Sequence, residues 1–474
     1  MSSTVVSAMP PTSADTSGVR HTAGGRSARL LVATLSVVVL TVAVLQTAVV
    51  PVLGAIATQL HEPAVSVSWV VTANLLAAAA ATPLIGRLAD LRNKKKVLLI
   101  VLGLVLGGSL VAATTASLPL LVVGRILQGG AFALYPVAVS VLRDELPAER
   151  LVRSIAALSA MLGFGGGLGL VVTGLLMTDG AAYQRVFWLC TLFTAAVMVA
   201  AWLVVPNRPR HVRAEIDWLG GAGLAVGLAA VLLAITQGTR WGWASPATLG
   251  AATVGAVVLN RWWSWSRRCA NPLVSVEMLS RRPVLLGNLA TLLVGMGLYF
   301  SFLGTTGFVE SPRGGGYGFG ASVLDASVEF LLPGALAAAV TALVAGRYIE
   351  RLGPRVVIAA GASAGALGFT SLLLWHSAPW QVVLAGLLTN AYISLAYGAL
   401  PVLVLQDVAD DETGIATSLN AIFRKVGSAI AAALFAAMLT PGADGSTPES
   451  AFTAIFALGA VTAVVAILLS VRRR

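Results

Sequence analysis

GRLADLRNKK, at residues 86–95, recurs in outline at residues 346–355, which read GRYIERLGPR. Both stretches begin with Gly, carry an acid four residues later, and continue through a turn-forming residue into basic ones. Glycine lets two helix ends approach closely, and the carboxylate can sit against a helix N-terminus or an Arg of the other half. Solvated turn residues would explain one such stretch, but two copies at equivalent positions favour a repeated gating loop. Its predicted members are Gly86, Asp90, Arg92, Lys94, Gly346, Glu350, Arg351 and Gly353.

The chain around these loops is too apolar for a water-soluble protein. Of its 474 residues, 57% are hydrophobic and only 11% are charged, whereas soluble domains carry about 25% charged residues. The apolar runs reach the length of about 20 residues that a membrane-crossing helix needs, and they do not alternate as the strands of a membrane barrel do. The sequence therefore predicts an all-α polytopic membrane protein. The net charge of +11 is then explained by cytoplasmic loops and not by nucleic-acid binding.

Fourteen apolar segments are predicted to span the membrane, the eighth of them at residues 247–266. An even number places both termini on one side, and assigning that side as cytoplasm puts most basic loop residues there, as the positive-inside rule requires. The predicted organisation is a disordered cytoplasmic tail (1–28), an N-terminal six-helix bundle (29–206), two additional spans with a basic linker (207–283) and a C-terminal six-helix bundle (284–474). We expect a monomeric, multi-pass protein in the lipid bilayer of the cell membrane.

Spans 4 and 12 carry a second trace of the repeat. Gln128 corresponds to Asn390, and Tyr135 corresponds to Tyr397. A single polar side chain in a span is more often an interhelical hydrogen bond than a ligand contact, but recurrence across the repeat favours a central cavity. An apolar cavity with a few polar groups suits an amphipathic organic solute. The predicted cavity residues are Gln46, Asn74, Gln128, Tyr135, Asn390 and Tyr397.

These features together resemble the major facilitator superfamily, and fourteen spans resemble its drug:proton antiporter branch. The loop at 86–95 resembles the superfamily's signature loop, and the stretch RILQG at 125–129 resembles its span-4 motif. The segment QGTRWGW at 237–243 and the approach to span 13 from Gly414 through Arg424 to Gly427 are similar to that branch as well. The sequence departs from the branch in span 5, where residues 165–174 lack the proline of the antiporter motif. The resemblance implies two six-helix bundles that rock about a central site, with two extra helices.

Charged residues inside the spans are the candidates for energy coupling, because a charge in the hydrocarbon region is costly and usually functional. Arg125 lies within span 4 and its repeat counterpart is Leu387, so the repeat does not require it. The resemblance implies that Arg125 takes part in proton coupling, while a purely structural Arg bonded to carbonyls is the alternative. Asp325 and Glu329 lie four residues apart on one side of span 10 and are candidate proton carriers. For Asp325 a wetted position at the outer interface is the favoured alternative.

The expected function is proton-driven export of small amphipathic or hydrophobic, drug-like compounds by alternating access. The alternatives are a substrate-specific metabolite carrier and a non-transporting membrane sensor or scaffold of the same fold. The sequence contains no nucleotide-binding loop, nucleophile motif or metal-ligand cluster, so we expect neither an enzyme nor a cofactor or metal. The expected partners are the solute, protons and the lipid bilayer.

Overall fold

The structure is a computed structural model that describes residues 25–177, 181–208, 217–313, 317–322, 325–406, 408–409, 412–439 and 448–471. The first group of helices is α1 (Gly25–Thr47), α2 (Leu53–Leu60), α3 (Ala64–Val67), α4 (Trp69–Leu91), α5 (Lys94–Thr114), α6 (Leu118–Gly129), α7 (Leu134–Glu145), α8 (Ala148–Leu176) and α9 (Gln184–Val204). A 3-10 turn, Gly130–Ala133, joins α6 to α7 into one continuous span.

The remaining helices follow without a strand between them in the described residues. They are α10 (Trp218–Trp241), α11 (Pro246–Ser266), α12 (Val276–Ser280), α13 (Arg282–Glu310), α14 (Leu332–Leu352), α15 (Pro354–Leu374), α16 (Pro379–Leu405), α17 (Thr413–Met438) and α18 (Glu449–Val471). A π-helical turn, Ala326–Leu331, leads directly into α14.

Thirteen helices in the described part of the chain are long and apolar enough to cross a membrane. The predicted eighth span forms α11, which has the length of a span but is not among the thirteen. Its last turns carry Asn260, Arg261 and three Trp residues, a composition typical of a membrane interface. Helix α11 packs antiparallel along α10, with Gly255 against Val231 and Gly227 against Leu259, so it is placed to cross alongside α10.

Two sets of helices form the body of the molecule. In the first set α1 packs on α8 and α9, and in the second set α13 packs on α17 and α18, with α15 against α16. The sets meet along two seams, where α4 and α7 contact α17, and where α8 contacts α14 and α16. Helix α10 lies over the first seam because it contacts both α4 and α17. Its Gln237 donates a hydrogen bond to Thr72 of α4 at 3.1 Å.

Helix α17 is held very close to α13 by two glycines. A Cβ atom on Gly427 would lie 1.9 Å from the carbonyl oxygen of Leu292, and one on Gly295 would lie 2.2 Å from that of Arg424. Only glycine permits such contact between two helix backbones. The position of Arg424 and its neighbours in the middle of the molecule is therefore fixed by backbone packing.

The predicted N-terminal tail differs in part from the structure. Helix α1 begins at Gly25, inside the predicted tail 1–28, and residues 1–24 lie outside the described part of the chain. The predicted domain boundaries at 206 and 283 fall just after α9 and within the first turn of α13.

Candidate functional site

The first repeated loop connects the two sets of helices through Asp90. Its buried carboxylate accepts hydrogen bonds from the backbone N–H groups of Gly414 (2.9 Å) and Ile415 (3.1 Å), at the start of α17. The Ser140 hydroxyl donates a third bond to it at 3.1 Å. The N-terminal N–H groups of a helix lack partners within the helix and carry partial positive charge, so a carboxylate is well suited to this position. We call this contact the Asp90 clasp.

Gly86 makes the Asp90 clasp sterically possible. A Cβ atom at this position would lie 2.0 Å from the Ser418 hydroxyl oxygen and 2.8 Å from the Gly414 carbonyl oxygen. Gly414, on the opposite side of the contact, is also required to be small, since a Cβ atom there would lie 2.6 Å from Asp90 Oδ1. Helices α4 and α17 thus touch backbone to backbone where the clasp forms.

The second repeated loop makes the corresponding contact in the opposite direction. Glu350, at the end of α14, forms an ion pair with Arg153 of α8, whose Nε donates to Glu350 Oε2 at 2.6 Å. A Cβ atom on Gly346 would lie 2.8 Å from the Arg153 Cα, so this glycine also marks a close helix crossing. We call this contact the Glu350 clasp, and we call the end of the molecule that carries both clasps the loop end.

The other predicted loop residues have more local contacts. Lys94 donates to the Ser140 carbonyl oxygen at 2.8 Å and pairs with Asp144 at 2.6 Å. Gly353 adopts φ +83°, as expected for a tight turn, whereas Asn93 has φ −63° and caps α5 by accepting a bond from the Lys96 N–H. The exposed side chains of Arg92 and Arg351 lie at the loop end.

A further contact at the loop end was not predicted. Arg143 of α7 donates to the Thr413 hydroxyl, and its Nη2 lies 3.3 Å from the carbonyl oxygen of Val408. Both acceptors precede or begin α17, next to the Asp90 clasp. In the sequence, Arg143 is only a basic residue directly after span 4. The positive-inside rule already accounts for such a residue, so no contact with α17 was expected.

Arg125 is 2% exposed, and its guanidinium donates to two backbone carbonyl oxygens and one side-chain amide oxygen. Its Nε donates to Val70 O at 2.9 Å, and its Nη1 donates to Leu45 O at 3.2 Å and to Gln128 Oε1 at 2.6 Å. Asn74 donates to the Arg125 carbonyl oxygen at 2.8 Å. The guanidinium therefore ties α1, α4 and α6 together, which matches the structural alternative weighed for this residue; its role in proton coupling stays a prediction.

Lys425 lies at the centre of the molecule and was missed in the sequence. Its ammonium group donates to Gln46 Oε1 and lies 4.5 Å from the centre of the Phe132 ring. Gln46 in turn donates to the Tyr299 hydroxyl at 3.2 Å, so α1, α13 and α17 meet here. The sequence does indicate it, because Lys425 is a charged residue inside predicted span 13, next to Arg424. This segment was used only as evidence for the family resemblance.

The repeat-related tyrosines come together around Arg424. Its guanidinium carbon lies 4.6 Å from the ring centre of Tyr397 and 5.6 Å from that of Tyr135. The Tyr135 hydroxyl shares a hydrogen bond with Ser159 at 2.8 Å. A cation over two aromatic faces is attracted by the quadrupoles of the neutral rings, whose faces carry partial negative charge, and not by an acid.

Three predicted site residues lie apart from this centre. Asn390 bonds to the carbonyl oxygen of Gly386 in its own helix and packs against Gly334 of α14. Asp325 accepts from the Ser322 hydroxyl at 2.7 Å and is exposed, and its wetted position at the outer interface stays a prediction. Glu329 is also exposed, on the π-helical turn, so neither acid contacts the central cations.

An apolar cavity adjoins Lys425 where α4, α10, α17 and the 3-10 turn meet. Leu75, Phe132, Leu232 and Ile422 contribute to its wall. Leu232 comes from α10, so the additional helix pair forms part of the cavity. Among the described residues, no group of three or more His, Cys, Asp or Glu side chains is placed to hold a metal ion.

The chain belongs to the Major Facilitator Superfamily, whose family model matches residues 35–432 and 317–474. It is 29% identical over 408 residues to an uncharacterized MFS-type transporter of Mycobacterium tuberculosis, covering 84% of this chain and 58% of that protein. The chain thus spans about three fifths of the length of that relative.

Other relatives differ in the solutes for which they are named. A uridine/deoxyuridine transporter of Lactococcus lactis is 26% identical, with 80% of each chain covered. A multidrug resistance protein B homolog of M. tuberculosis is 25% identical, covering 79% of this chain and 69% of that protein. The crystal structure of the human organic anion transporter MFSD10 superposes with a TM-score of 0.66 at 15% identity, over 94% of this chain and 99% of that one. The resemblance and the fold predicted from the sequence are therefore confirmed.

Proposed function

We propose that the protein exports small amphipathic compounds in exchange for protons by alternating access. The observation that carries the proposal is that both copies of the repeated loop reach across to the opposite set of helices at the same end. Asp90 of the first set bonds to the start of α17, and Glu350 of the second set pairs with Arg153. Two reciprocal clasps of this kind can hold one end closed while the other end is open, and their release reverses the access.

The nature of the lining supports an amphipathic solute. The cavity beside Lys425 has mostly apolar side chains, with Thr82 and the ammonium group as its polar elements. Ligand sites of this composition bind largely by apolar contact and use a few polar groups to orient the ligand. The relatives are named for different solutes, so they do not indicate which solute this chain carries. The proposal of an amphipathic solute rests on the apolar lining of the cavity.

Arg125, Glu329 and Asp325 are the candidate residues for proton coupling, and Glu329 is the carboxylate to be tested first. Glu329→Gln should shift the pH dependence of transport, and an unchanged profile would rule this carboxylate out. We further propose that the loop end faces the cytoplasm, that both termini lie on that side of the cell membrane, and that the monomer is the working unit.

The test is flux in proteoliposomes that contain the full chain and a trapped pH-sensitive dye. Under an imposed pH gradient, an added solute should cause proton movement that is absent from protein-free liposomes. The solutes are 2-naphthoate, 2-naphthalenemethanol and 2-naphthylmethylammonium, which share one ring system and differ in charge, together with uridine for the substrate-specific alternative. Proton movement with uridine alone would favour that alternative, and the absence of solute-dependent proton movement and of solute flux would refute the transport proposal.

A further inference from the structure

Two adjacent positive side chains lie in the middle of the protein without an acidic partner. Arg424 contacts the rings of Tyr397 and Tyr135, and Lys425 contacts the Gln46 amide oxygen and the Phe132 ring. Among the described residues, neither cation has a carboxylate within ion-pair distance. Aromatic faces and an amide oxygen reduce the cost of burying a cation, but they do not neutralise its charge.

The acids of the neighbouring spans are placed elsewhere. Asp90 and Glu350 are engaged in the two clasps at the loop end. Asp325 and Glu329 are exposed on the π-helical turn, and Glu310 ends α13. A charge in a low-dielectric region is costly when it is unpaired, so an anion that entered this region would gain a strong interaction.

Lys425 is the cation that a solute can reach from the apolar cavity. It is part of the cavity wall, together with Leu75, Leu232 and Ile422. Gln46 keeps the ammonium group oriented, and the Tyr299 hydroxyl, which accepts the bond from Gln46, can donate its own hydrogen to an anionic oxygen. The chemistry of this surface therefore suits a molecule with an anionic head and an apolar body.

We propose that Lys425, Gln46 and Tyr299 form the head-group subsite for a small amphipathic organic anion, such as an aryl carboxylate or sulfonate. The apolar body of the anion lies along the cavity wall to which α10 contributes. This inference deepens the proposed function and rests on it for the statement that the bound anion is carried across the membrane. Organic cations of the same size are disfavoured because they would meet two like charges.

The experiment measures equilibrium binding to the full chain in lipid nanodiscs. The probes share one ring system and differ in charge: radiolabelled 2-naphthoate, with 2-naphthalenemethanol and 2-naphthylmethylammonium as competitors. The variants are Lys425→Gln, which removes the charge, Lys425→Arg, which keeps it, and Lys96→Gln as a matched control at an exposed lysine. Each variant is first checked for a single species on size exclusion and for unchanged helical content.

The proposal predicts saturable binding of 2-naphthoate that the cation does not displace. Lys425→Gln should weaken this binding tenfold or more, equivalent to about 1.4 kcal/mol. Lys425→Arg should stay within about threefold of the unmodified chain, and Lys96→Gln should have no effect. Where Lys425→Gln does not fold, the order of displacement by the two competitors decides the question in the unmodified chain.

The inference is overturned by an absence of saturable 2-naphthoate binding, by equal binding to the Lys425→Gln variant, or by stronger displacement with the cation than with the alcohol. These outcomes are distinct from failure of the transport proposal. Binding of the anion without flux in proteoliposomes refutes transport and leaves the subsite in place. Flux of the neutral or cationic compound, together with an absence of saturable 2-naphthoate binding, leaves transport in place and refutes the anion subsite.

Discussion

Replacing Asp90 with Asn should weaken the closed form of the loop end and leave the remaining fold intact. Two of the three hydrogen bonds to the carboxylate come from α17, at 2.9 and 3.1 Å, and the third comes from Ser140 within the first set of helices. Hydrogen bonds to a charged group contribute about 1.5–3 kcal/mol each. Asn keeps one acceptor oxygen and presents an N–H₂ group to the second backbone donor, so one of the two bonds is lost. The closed form should therefore lose about 1.5–3 kcal/mol, which corresponds to a roughly 10- to 150-fold change in the open-to-closed ratio.

Distances between spin labels on the two sets of helices report this change directly. Labels at Lys96 and Leu352, both exposed at the loop end, are attached in a background without the free cysteines Cys190 and Cys269. In nanodiscs, the Asp90→Asn variant should gain a population at longer distance than the unmodified chain shows.

The matched control for Asp90→Asn is Glu145→Gln. It removes another buried carboxylate at the same end, whose partner Arg208 lies at 3.0 Å in the segment that follows α9, so this ion pair does not join the two sets of helices. This variant should keep the original distance distribution. An unchanged distribution in Asp90→Asn, or the same change in both variants, would refute the assignment of Asp90 as a clasp.

Three further predictions concern the second clasp, the close helix crossing and the driving force. Exchanging the charges of the Glu350 clasp (Arg153→Glu with Glu350→Arg) should restore most of the flux that either single change removes; two additive losses would show that the pair does not act as a unit. Gly86→Ala should reduce flux severely because its methyl group would overlap Ser418, whereas Gly103→Ala, with open space around it, should be neutral; equal flux in both variants would contradict the packing account. Export of a monovalent anion in exchange for a proton moves two charges, so an imposed potential that is negative on the loop-end side should favour export by about 4.6 kcal/mol per 100 mV. Flux that does not respond to potassium diffusion potentials would exclude this stoichiometry.

The repeated loops could be predicted from the sequence because they depend on local residue types. A Gly followed by an acid at a helix end allows close helix contact and places a carboxylate at that contact. Because this pattern occurs twice at equivalent positions, it indicated a contact between the two halves. The partner of each acid could not be predicted, since it depends on how the halves dock. Asp90 contacts a helix N-terminus and Glu350 contacts an Arg side chain, although the two loops are similar in sequence.

Residues inside the spans were harder to interpret, because polarity alone does not show which way a side chain faces. Tyr135 and Tyr397 were paired by the repeat and do lie on the same cation, but Asn390 bonds within its own helix. Arg125 was singled out as a lone intramembrane charge, and in the structure it donates to two backbone carbonyl oxygens and to one side-chain amide oxygen. Lys425 carries the same signal and was overlooked, and its position beside the cavity depends on the close packing of α17 against α13.

Reversible locking of the loop end tests alternating access most directly. Cysteines replace Arg153 and Glu350, whose side chains meet across the two sets of helices, in a background without Cys190 and Cys269. Flux of 2-naphthoate into or out of proteoliposomes is then measured after oxidation and again after reduction. The account predicts that the cross-linked protein does not transport and that reduction restores flux to the level of the protein before oxidation. Full flux through the cross-linked protein would contradict it, because the loop end would then not need to open.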